Sequence, residues 1–533
     1  MKRCPECRRD YIDDSLLYCL DDGSPLLEGP ASGNEHLTAI LYESPPSAAG
    51  TRLFSSGAQH VDNTNAIAVL PFANVSQDHN AEYFSDGLTD ELLNVLSKIP
   101  GLRVAGRTSA FSFKGKQTTV AKIGRQLNVS SVLEGSVRMA GNRVRIGVQL
   151  VNVADGYHRW SETYDRTIDD IFAIQDDIAH SVVEELRPRL TGTAADTSLN
   201  KQVAAVVADA AKGRAANPEA HRLMLLGRHL ADRRTPDDMA KAVEYFEQAL
   251  EIDPQNARCW LEIGFAQYLR AGNSFIDFAQ GYEAARTASE TALRVEPDLG
   301  GGHALLARVK MLRDRDFRGA DEAIRRALEL DPENLYVLEA AAVMIFRLGR
   351  VNESLEISRK ALLTDPLNPR ALQLVSWAAY ASGRLDEAET TIQRSLEIVP
   401  QGVYKHAHLA LILAAKGRVD EALVNAALET GATWGPWATA LVEVVAGRVS
   451  EARHAVSDLI NQRGEDAAFQ IAEVYAAMGE VDTAFEYLGI AIEKDPGLSQ
   501  ILVSPHLRTL HSDERWQPLL SKIGIPEEYW PTI

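Results

Sequence analysis

The sequence predicts a multidomain chain: a small cysteine-bearing leader, an α/β domain with a mixed sheet, and an all-helical repeat solenoid. Three observations predict this order. Three of the four cysteines lie in the first 19 residues, and residues 64–190 mix short apolar runs with amphipathic segments. From position 218 onward, prolines and glycines recur at a regular interval. A chain of 533 residues is also too long for one compact core.

The leader, residues 1–30, carries a Cys4-x-x-Cys7 turn, followed by Cys19-x-x-Asp22. Two Cys-x-x-Cys turns normally face each other across a tetrahedral zinc ion, and here Asp22 stands where the fourth cysteine would be. The spacing predicts a structural Zn²⁺ site formed by Cys4, Cys7, Cys19 and Asp22. A Cys4/Cys7 redox pair and a leader with reduced, unpaired cysteines are the alternatives.

On these cysteines and the Asp-Asp-Gly turn, the leader resembles the short zinc-ribbon modules that begin many bacterial signalling proteins. Residues 31–63 follow it with few apolar positions and no period. This composition predicts a flexible linker.

Residues 64–190 alternate strand and helix signals. Residues 66–72 form a short apolar run that predicts a buried strand, and a helix is predicted through about Ile99. Near-alternating apolar residues on both sides of Gly141-Asn142 predict a hairpin with a tight turn. An amphipathic helix is predicted over 171–190. Together these elements predict a mixed sheet covered by helices.

Several segments of this domain are similar to the TolB amino-terminal-like family: 68–75, 82–92, 106–115, 132–150, 160–166 and 171–179. The resemblance implies a compact α/β accessory domain without chemistry of its own. In that family it stands between an N-terminal module, such as an adenylate cyclase, a serine/threonine kinase or a winged helix, and C-terminal tetratricopeptide repeats. Residues 1–63 are too short for such a catalytic module.

The helical part keeps a strict period in its centre. Pro332, Pro366 and Pro400 are evenly spaced, and the glycines at 349, 383 and 417 keep the same step. This step equals the repeat length of about 34 residues that is typical of tetratricopeptide repeats. Glycine permits the tight turn between the two helices of a repeat, and proline stops the second helix from continuing. We predict a linker or leading helix over 191–215, the solenoid over 216–497, and a terminal cap over 498–533.

The first helix of each repeat is expected to line the concave face of the solenoid. Aromatic and arginine side chains on such a face are typical anchors for a partner. Some of the candidates could instead pack between helices, and for Phe346 both interpretations stay open. The predicted partner-binding residues are Tyr336, Glu339, Phe346, Arg370, Gln373, Trp377, Tyr380 and Tyr404. The glycine run 300–302 is expected in a loop between repeats.

The remaining features restrict the class of function. A formal net charge of −19 disfavours general nucleic-acid binding. We expect no signal peptide and no membrane helix, and therefore a cytoplasmic protein. Residues 64–190 lack the phosphate-binding and nucleophile motifs of common enzymes. We therefore predict a non-enzymatic scaffold or signalling regulator that binds a protein partner. The alternatives are a DNA-associated regulator and an accessory subunit of an adenylate cyclase or Ser/Thr kinase system.

Overall fold

A computed structural model describes residues 2–3, 10–11, 27–28, 65–76, 82–99, 101–167, 171–190, 217–494 and 500–531. The chain divides into two compact units, Met1–Val61 and Asp62–Ile533. In the first unit, strand β1 (Lys2–Arg3) pairs antiparallel with β2 (Asp10–Tyr11) and with β3 (Leu27–Glu28). The predicted zinc ligands Cys4, Cys7, Cys19 and Asp22 lie outside the described residues, as do both predicted linkers, 31–63 and 191–215.

The second unit begins with the predicted mixed sheet. Its strands are β4 (Ala66–Val69), β5 (Ala73–Asn74), β6 (Arg103–Val104), β7 (Ser131–Ala140), β8 (Arg143–Asn152) and β9 (His158–Thr167). The order is β6-β4-β7-β8-β9, and β5 also pairs with β7. Strand β4 is parallel to β6 and β7, whereas β7, β8 and β9 are antiparallel. The hairpin around Gly141, whose φ is +62°, confirms the predicted tight turn.

Helices cover both faces of this sheet. Ile67 and Val69 of β4 pack in one core with α1 (Glu82–Ser97) and α4 (Ile171–Leu190). The other face carries α3 (Val120–Leu127), whose Ile123 and Leu127 pack with Ala66 and Ala68. The short helix α2 (Arg107–Phe111) follows β6, and its Phe111 packs against the first core. The alternation of side chains along a strand divides these two cores. The predicted strand–helix order of this domain is therefore confirmed.

The helical part of the second unit consists of paired helices. Its helices are α5 (Pro218–Ala231), α6 (Pro236–Ile252), α7 (Ala257–Gly272), α8 (Phe278–Val295), α9 (Gly300–Val309), α10 (Phe317–Leu330), α11 (Leu335–Arg347), α12 (Val351–Thr364), α13 (Pro369–Ala381), α14 (Leu385–Ile398), α15 (Lys405–Ala415), α16 (Val419–Leu428), α17 (Trp434–Val445), α18 (Val449–Arg463), α19 (Ala468–Ala477), α20 (Val481–Lys494) and α21 (Trp516–Ile523). From α5 to α20, the odd-numbered helix of each pair is its first helix. We call these first helices the A helices.

Glycines make the predicted turns within the repeats. Gly349, Gly383 and Gly417 have φ values of +80°, +77° and +80°, and Gly447 and Gly479 repeat this conformation. Residues with a Cβ rarely adopt a positive φ, so glycine terminates these A helices at little cost.

The glycine run 300–302 differs from the sequence interpretation, which placed it in a loop. These residues form the first turn of α9. A Cβ on Gly300 would lie 2.7 Å from the Asp331 Cβ, and one on Gly301 would lie 2.8 Å from Leu261 Cδ2. The glycines are therefore explained by close packing of α9 against its neighbours.

The α/β domain and the solenoid share part of a core. Leu367 and Ile398 of the repeats pack with Ala66 and Ala68 of β4. A second contact lies at the first repeat, where Gly87 of α1 packs closely against Leu225 of α5. A Cβ added at Gly87 would lie only 2.6 Å from a methyl group of Leu225. The repeats thus cover the part of this sheet face that α3 does not cover.

Hydrogen bonds fix this docking at the turn between α12 and α13. Ser109 of α2 donates its backbone N–H to Asp365 Oδ1 at 2.7 Å, and its Oγ accepts from the Leu367 N–H at 2.8 Å. Gly106 donates to the Thr364 carbonyl at 2.8 Å. A Cβ on Gly106 would lie 2.5 Å from the Asp365 Cβ, so only glycine allows this approach.

The C-terminal segment 500–531 packs against earlier repeats, and is more than a cap on the open end. Arg508 donates to the Ala381 carbonyl at 3.1 Å, and Arg318 of α10 forms a bidentate ion pair with Glu528. The solenoid winds far enough that Arg315 donates to the Ile492 carbonyl at 3.0 Å. This winding explains how the terminal segment reaches repeats that are distant in sequence.

Candidate protein-binding groove

Asparagine caps set the start of several A helices. The Asn334 side chain accepts from the backbone N–H groups of Tyr336 and Val337, and Asn368 caps α13 in the same way. Capping fixes where each helix begins and therefore which residues face the groove. Consecutive A helices pack side by side, and their exposed side chains form the surface that we call the groove.

Arginine and aromatic side chains from α7, α9 and α11 meet in the first half of the groove. The Arg308 guanidinium lies 5.3 Å from the Tyr268 ring centroid and 5.1 Å from that of Tyr336. The Phe265 ring packs on Tyr336 with centroids 4.1 Å apart. Cations are attracted to the faces of aromatic rings, so these rings hold the arginine in place.

Arg370 of α13 extends this half of the groove. Its guanidinium lies 4.8 Å from the Trp377 ring centroid and donates to Gln373 Oε1 at 2.9 Å. Arg370 is exposed, and its guanidinium packs against groove side chains. Burial and the neighbouring Arg308 lower the pKa of Arg370 to about 10, against the attraction of Glu339.

Aromatic rings continue through the second half of the groove. Tyr404 lies between Trp377 and Trp434, with ring centroids 5.8 Å and 4.7 Å away. His408 stacks on Tyr404 at 5.6 Å, and Trp437 lies 5.8 Å from Tyr404. Such rings supply a large contact area at a low cost in side-chain entropy.

A buried carboxyl group supports this aromatic region. Glu473 of α19 is 3% exposed. It accepts from Trp437 Nε1 at 3.0 Å and from Ser504 Oγ at 2.5 Å. Burial raises the pKa of Glu473 to about 7, and the two hydrogen bonds only partly oppose this rise. The same groups link α17, α19 and the terminal segment.

The predicted site residues divide into two groups. Tyr336, Glu339, Trp377, Tyr380 and Tyr404 are half-buried, Arg370 is exposed, and all six lie on or at the start of the A helices of the groove. Gln373 is buried at 7% but is bound to Arg370. Phe346 is 9% exposed and packs in the solenoid core, which favours packing between helices over partner binding for this residue.

Sequence reasoning missed further groove residues: Phe265, Tyr268, Arg308 and Trp434. It also missed the buried side chains His408 and Trp437, which pack against the groove residue Tyr404. The period could have found Trp434, because it follows Tyr404 by the same step that separates Gly417 from Gly447. Phe265 and Tyr268 precede the longer loop after Gly272, where the regular step is lost.

No group of three or more His, Cys, Asp or Glu side chains within the described ranges is placed to hold a metal ion. None of the helices that the structure describes has the length and apolarity needed to cross a membrane.

Family comparisons match two parts of the chain. Residues 63–181 match the family described as HilA/YgeH-like transcriptional regulator, second domain. Tetratricopeptide-repeat families match residues 237–256, 312–369 and 466–497. The matched family of the α/β domain is thus not the TolB-like family, and that resemblance stays a prediction.

One curated relative is named "Putative adenylate cyclase 3", from Rhizobium meliloti (strain 1021). It is 39% identical over 189 residues, which make up 36% of this chain. The match covers 30% of the relative, so the chain spans less than a third of that protein's length.

Solved structures with repeat likeness include PilF of Pseudomonas aeruginosa, at 20% identity over 39% of this chain and 92% of that one, with a TM-score of 0.32. TTC0263 of Thermus thermophilus is 19% identical over 36% of this chain and 98% of that one, with a TM-score of 0.31. Human IFIT1 is 17% identical over 61% of this chain and 87% of that one, with a TM-score of 0.37. At these scores the likenesses carry no information about what this chain binds.

The helix pairs, their glycine turns and the three matched segments agree with one another. The helical part of this chain carries tetratricopeptide repeats arranged as a solenoid.

Proposed function

We propose that the chain is a non-enzymatic scaffold whose groove binds a protein partner. The observation that carries this proposal is the series of aromatic and arginine side chains along the A helices from α7 to α17. Trp377 Nε1 is a buried donor without a partner among the described groups. A carbonyl oxygen of a bound segment would satisfy it, and buried donors left unsatisfied are costly.

The α/β domain has a supporting role in this proposal. It is bound to the turn after α12 and to α5, so it holds repeats on both sides of the first half of the groove. A groove whose repeats are held in place loses less conformational freedom on binding, which favours affinity.

Affinity purification of the full chain from native cells, followed by mass spectrometry, tests the proposal. Wild type and Tyr404→Ala are compared, because Tyr404 contacts several rings of the groove. We expect at least one protein that is enriched with wild type and roughly tenfold less with the variant, as for loss of a central aromatic anchor. Tyr157→Ala is the control, since Tyr157 is 75% exposed on the α/β domain. Recovery that is equal for all three chains would refute binding through the groove.

A signalling role beside an adenylate cyclase is the second candidate, supported by the 39% identity with the relative of that name. The same purification separates the candidates. A cyclase or kinase catalytic subunit among the Tyr404-dependent proteins would support it. Salt-sensitive retention of DNA would instead support a DNA-associated regulator.

We also propose that Cys4, Cys7, Cys19 and Asp22 hold a structural zinc ion. In the chain, the first two lie between β1 and β2, and the last two lie between β2 and β3. Paired strands beside such turns are typical of zinc ribbons. Elemental analysis of the purified, reduced chain should give about one zinc per molecule, and the Cys4→Ser variant should give far less. A zinc content near zero in wild type would exclude the site.

A further inference from the structure

The first half of the groove contains a cluster of positive charge within an acidic chain. We call Tyr268, Arg308, Tyr336, Arg347 and Arg370 the arginine–tyrosine cluster. Burial raises the pKa of Tyr268, but Arg308, Arg347 and Arg370 outweigh it and leave the pKa below its ordinary value. All three arginines therefore act on one hydroxyl group, although the chain as a whole has a net charge of −19.

Few carboxylates oppose this charge. Glu339 is the nearby acid, and it accepts a hydrogen bond from Asn368 Nδ2 at 2.9 Å. Glu262 is bound by Arg228 at 2.6 Å. Within the described part of the chain, neither Arg308 nor Arg370 forms a salt bridge of the kind that compensates surface arginines elsewhere in the solenoid.

Donors in the cluster are also left without acceptors. Arg308 Nε and the Tyr336 hydroxyl are buried, and no group in the described ranges bonds to either atom. Buried donors are nearly always satisfied, so these two indicate a missing acceptor. Both belong to side chains that are locked by ring contacts, and the cluster is therefore preorganised.

We propose that the arginine–tyrosine cluster binds an oxyanion, a carboxylate or a phosphate, on an acidic segment of the protein partner. This proposal rests on the proposed function and specifies its ligand. An oxyanion offers several acceptor sites, and arginine binds such groups through paired hydrogen bonds. The rings of Phe265 and Trp377 flank the charges and would contact apolar side chains next to the anion.

Fluorescence polarisation tests the oxyanion proposal by measuring how tightly the full chain binds labelled peptides of about ten residues, a length suited to such a groove. Three peptides share one apolar framework and carry aspartate, phosphoserine or asparagine at the same positions. We expect the aspartate or the phosphoserine peptide to bind roughly tenfold more tightly than the asparagine peptide. The aspartate and phosphoserine peptides distinguish the two sources of the anion. Equal affinity for all three peptides would overturn the proposal.

Two variants connect the effect to the cluster. Arg370→Gln removes an exposed charge, and Tyr336→Phe removes only the unsatisfied hydroxyl. Each variant should bind the acidic peptide several-fold more weakly than wild type does, whereas its affinity for the asparagine peptide should be unchanged. Arg384→Gln is the matched control, because Arg384 is an exposed arginine at the turn after α13 and outside the cluster.

The remaining outcomes are also decisive. Binding of the acidic peptide that is insensitive to Arg370→Gln would contradict the proposed site. Preference for a single-stranded oligonucleotide over both acidic peptides would replace the peptide by a nucleic acid. A cellular partner that depends on Tyr404 but not on Arg370 would preserve the scaffold and refute only the oxyanion site.

Discussion

Replacing Trp437 by alanine is expected to lower the free energy of unfolding by about 3–5 kcal/mol, the range for large aromatic truncations in a core. Trp437 is 3% exposed, and its indole packs near Tyr404, Trp434 and His506. The variant would leave a cavity and would also remove the donor to Glu473. Urea unfolding followed by circular dichroism measures the change.

The pH dependence provides a second measurement. Because folding raises the pKa of Glu473 to about 7, the folded chain keeps a proton that the unfolded chain releases near its ordinary pKa. The contribution of this group to stability is therefore complete below the unfolded pKa and declines as pH rises to about 7. The Trp437 indole donates a hydrogen bond that stabilises the ionised form of Glu473, and Trp437→Ala removes it. The variant should therefore lose more free energy of unfolding at about pH 8, where Glu473 is ionised, than at about pH 5, where it is protonated.

Two variants separate the contributions. Trp434→Ala removes a half-buried ring of the same helix, α17, and should lower the free energy of unfolding clearly less than Trp437→Ala does. Glu473→Gln removes the titration, and in that background the loss from Trp437→Ala should no longer depend on pH. A loss of equal size for both tryptophans would show that the buried position of Trp437 is not what matters.

Asp365→Ala is expected to cost about 2–3 kcal/mol and to loosen the α/β domain from the solenoid. Asp365 is fully buried, and its carboxylate accepts from the Ser109 N–H at 2.7 Å and from Asn368 Nδ2 at 3.1 Å. The alanine variant leaves the Ser109 amide without its acceptor. Hydrogen exchange should show faster exchange in α2 and at the turn after α12, in addition to a lower unfolding midpoint.

The chain contains a matched control for this variant. Asp331 lies one repeat earlier, and its carboxylate accepts from Asn334 Nδ2 at 2.9 Å in the same geometry. The Ser109 amide bonds to Asp365 and not to Asp331. Asp331→Ala should therefore leave exchange in α2 unchanged. Faster exchange there in the Asp331 variant, or unchanged exchange in the Asp365 variant, would contradict the role assigned to the Asp365 carboxylate.

Local patterns in the sequence predicted much of the fold because they act over a few residues. The helix at 171–190 has the predicted bounds, and the hairpin turns at Gly141. The period also predicted the turn glycines. These signals depend on strand alternation, capping and positive φ, which are properties of short segments.

Contacts between distant segments could not be predicted in this way. Nothing in the spacing of Ser109 and Asp365 indicates that they meet, because 256 residues separate them. Phe346 and Tyr380 occupy equivalent positions in consecutive repeats, yet Phe346 is in the core and Tyr380 is half-buried. The period gives the face of a helix, but local packing decides how deep each side chain lies.

The two attachment points of the α/β domain have a mechanical consequence. Repeat solenoids generally stretch and twist like springs, because each repeat contacts only its neighbours. Here the repeats from α5 to α12 are clamped at both ends by one sheet domain, through Leu225 and Asp365. This span should therefore be stiffer than a solenoid whose repeats contact only their neighbours. Inserting or deleting a repeat within the clamped span would change its length and detach one end of the clamp.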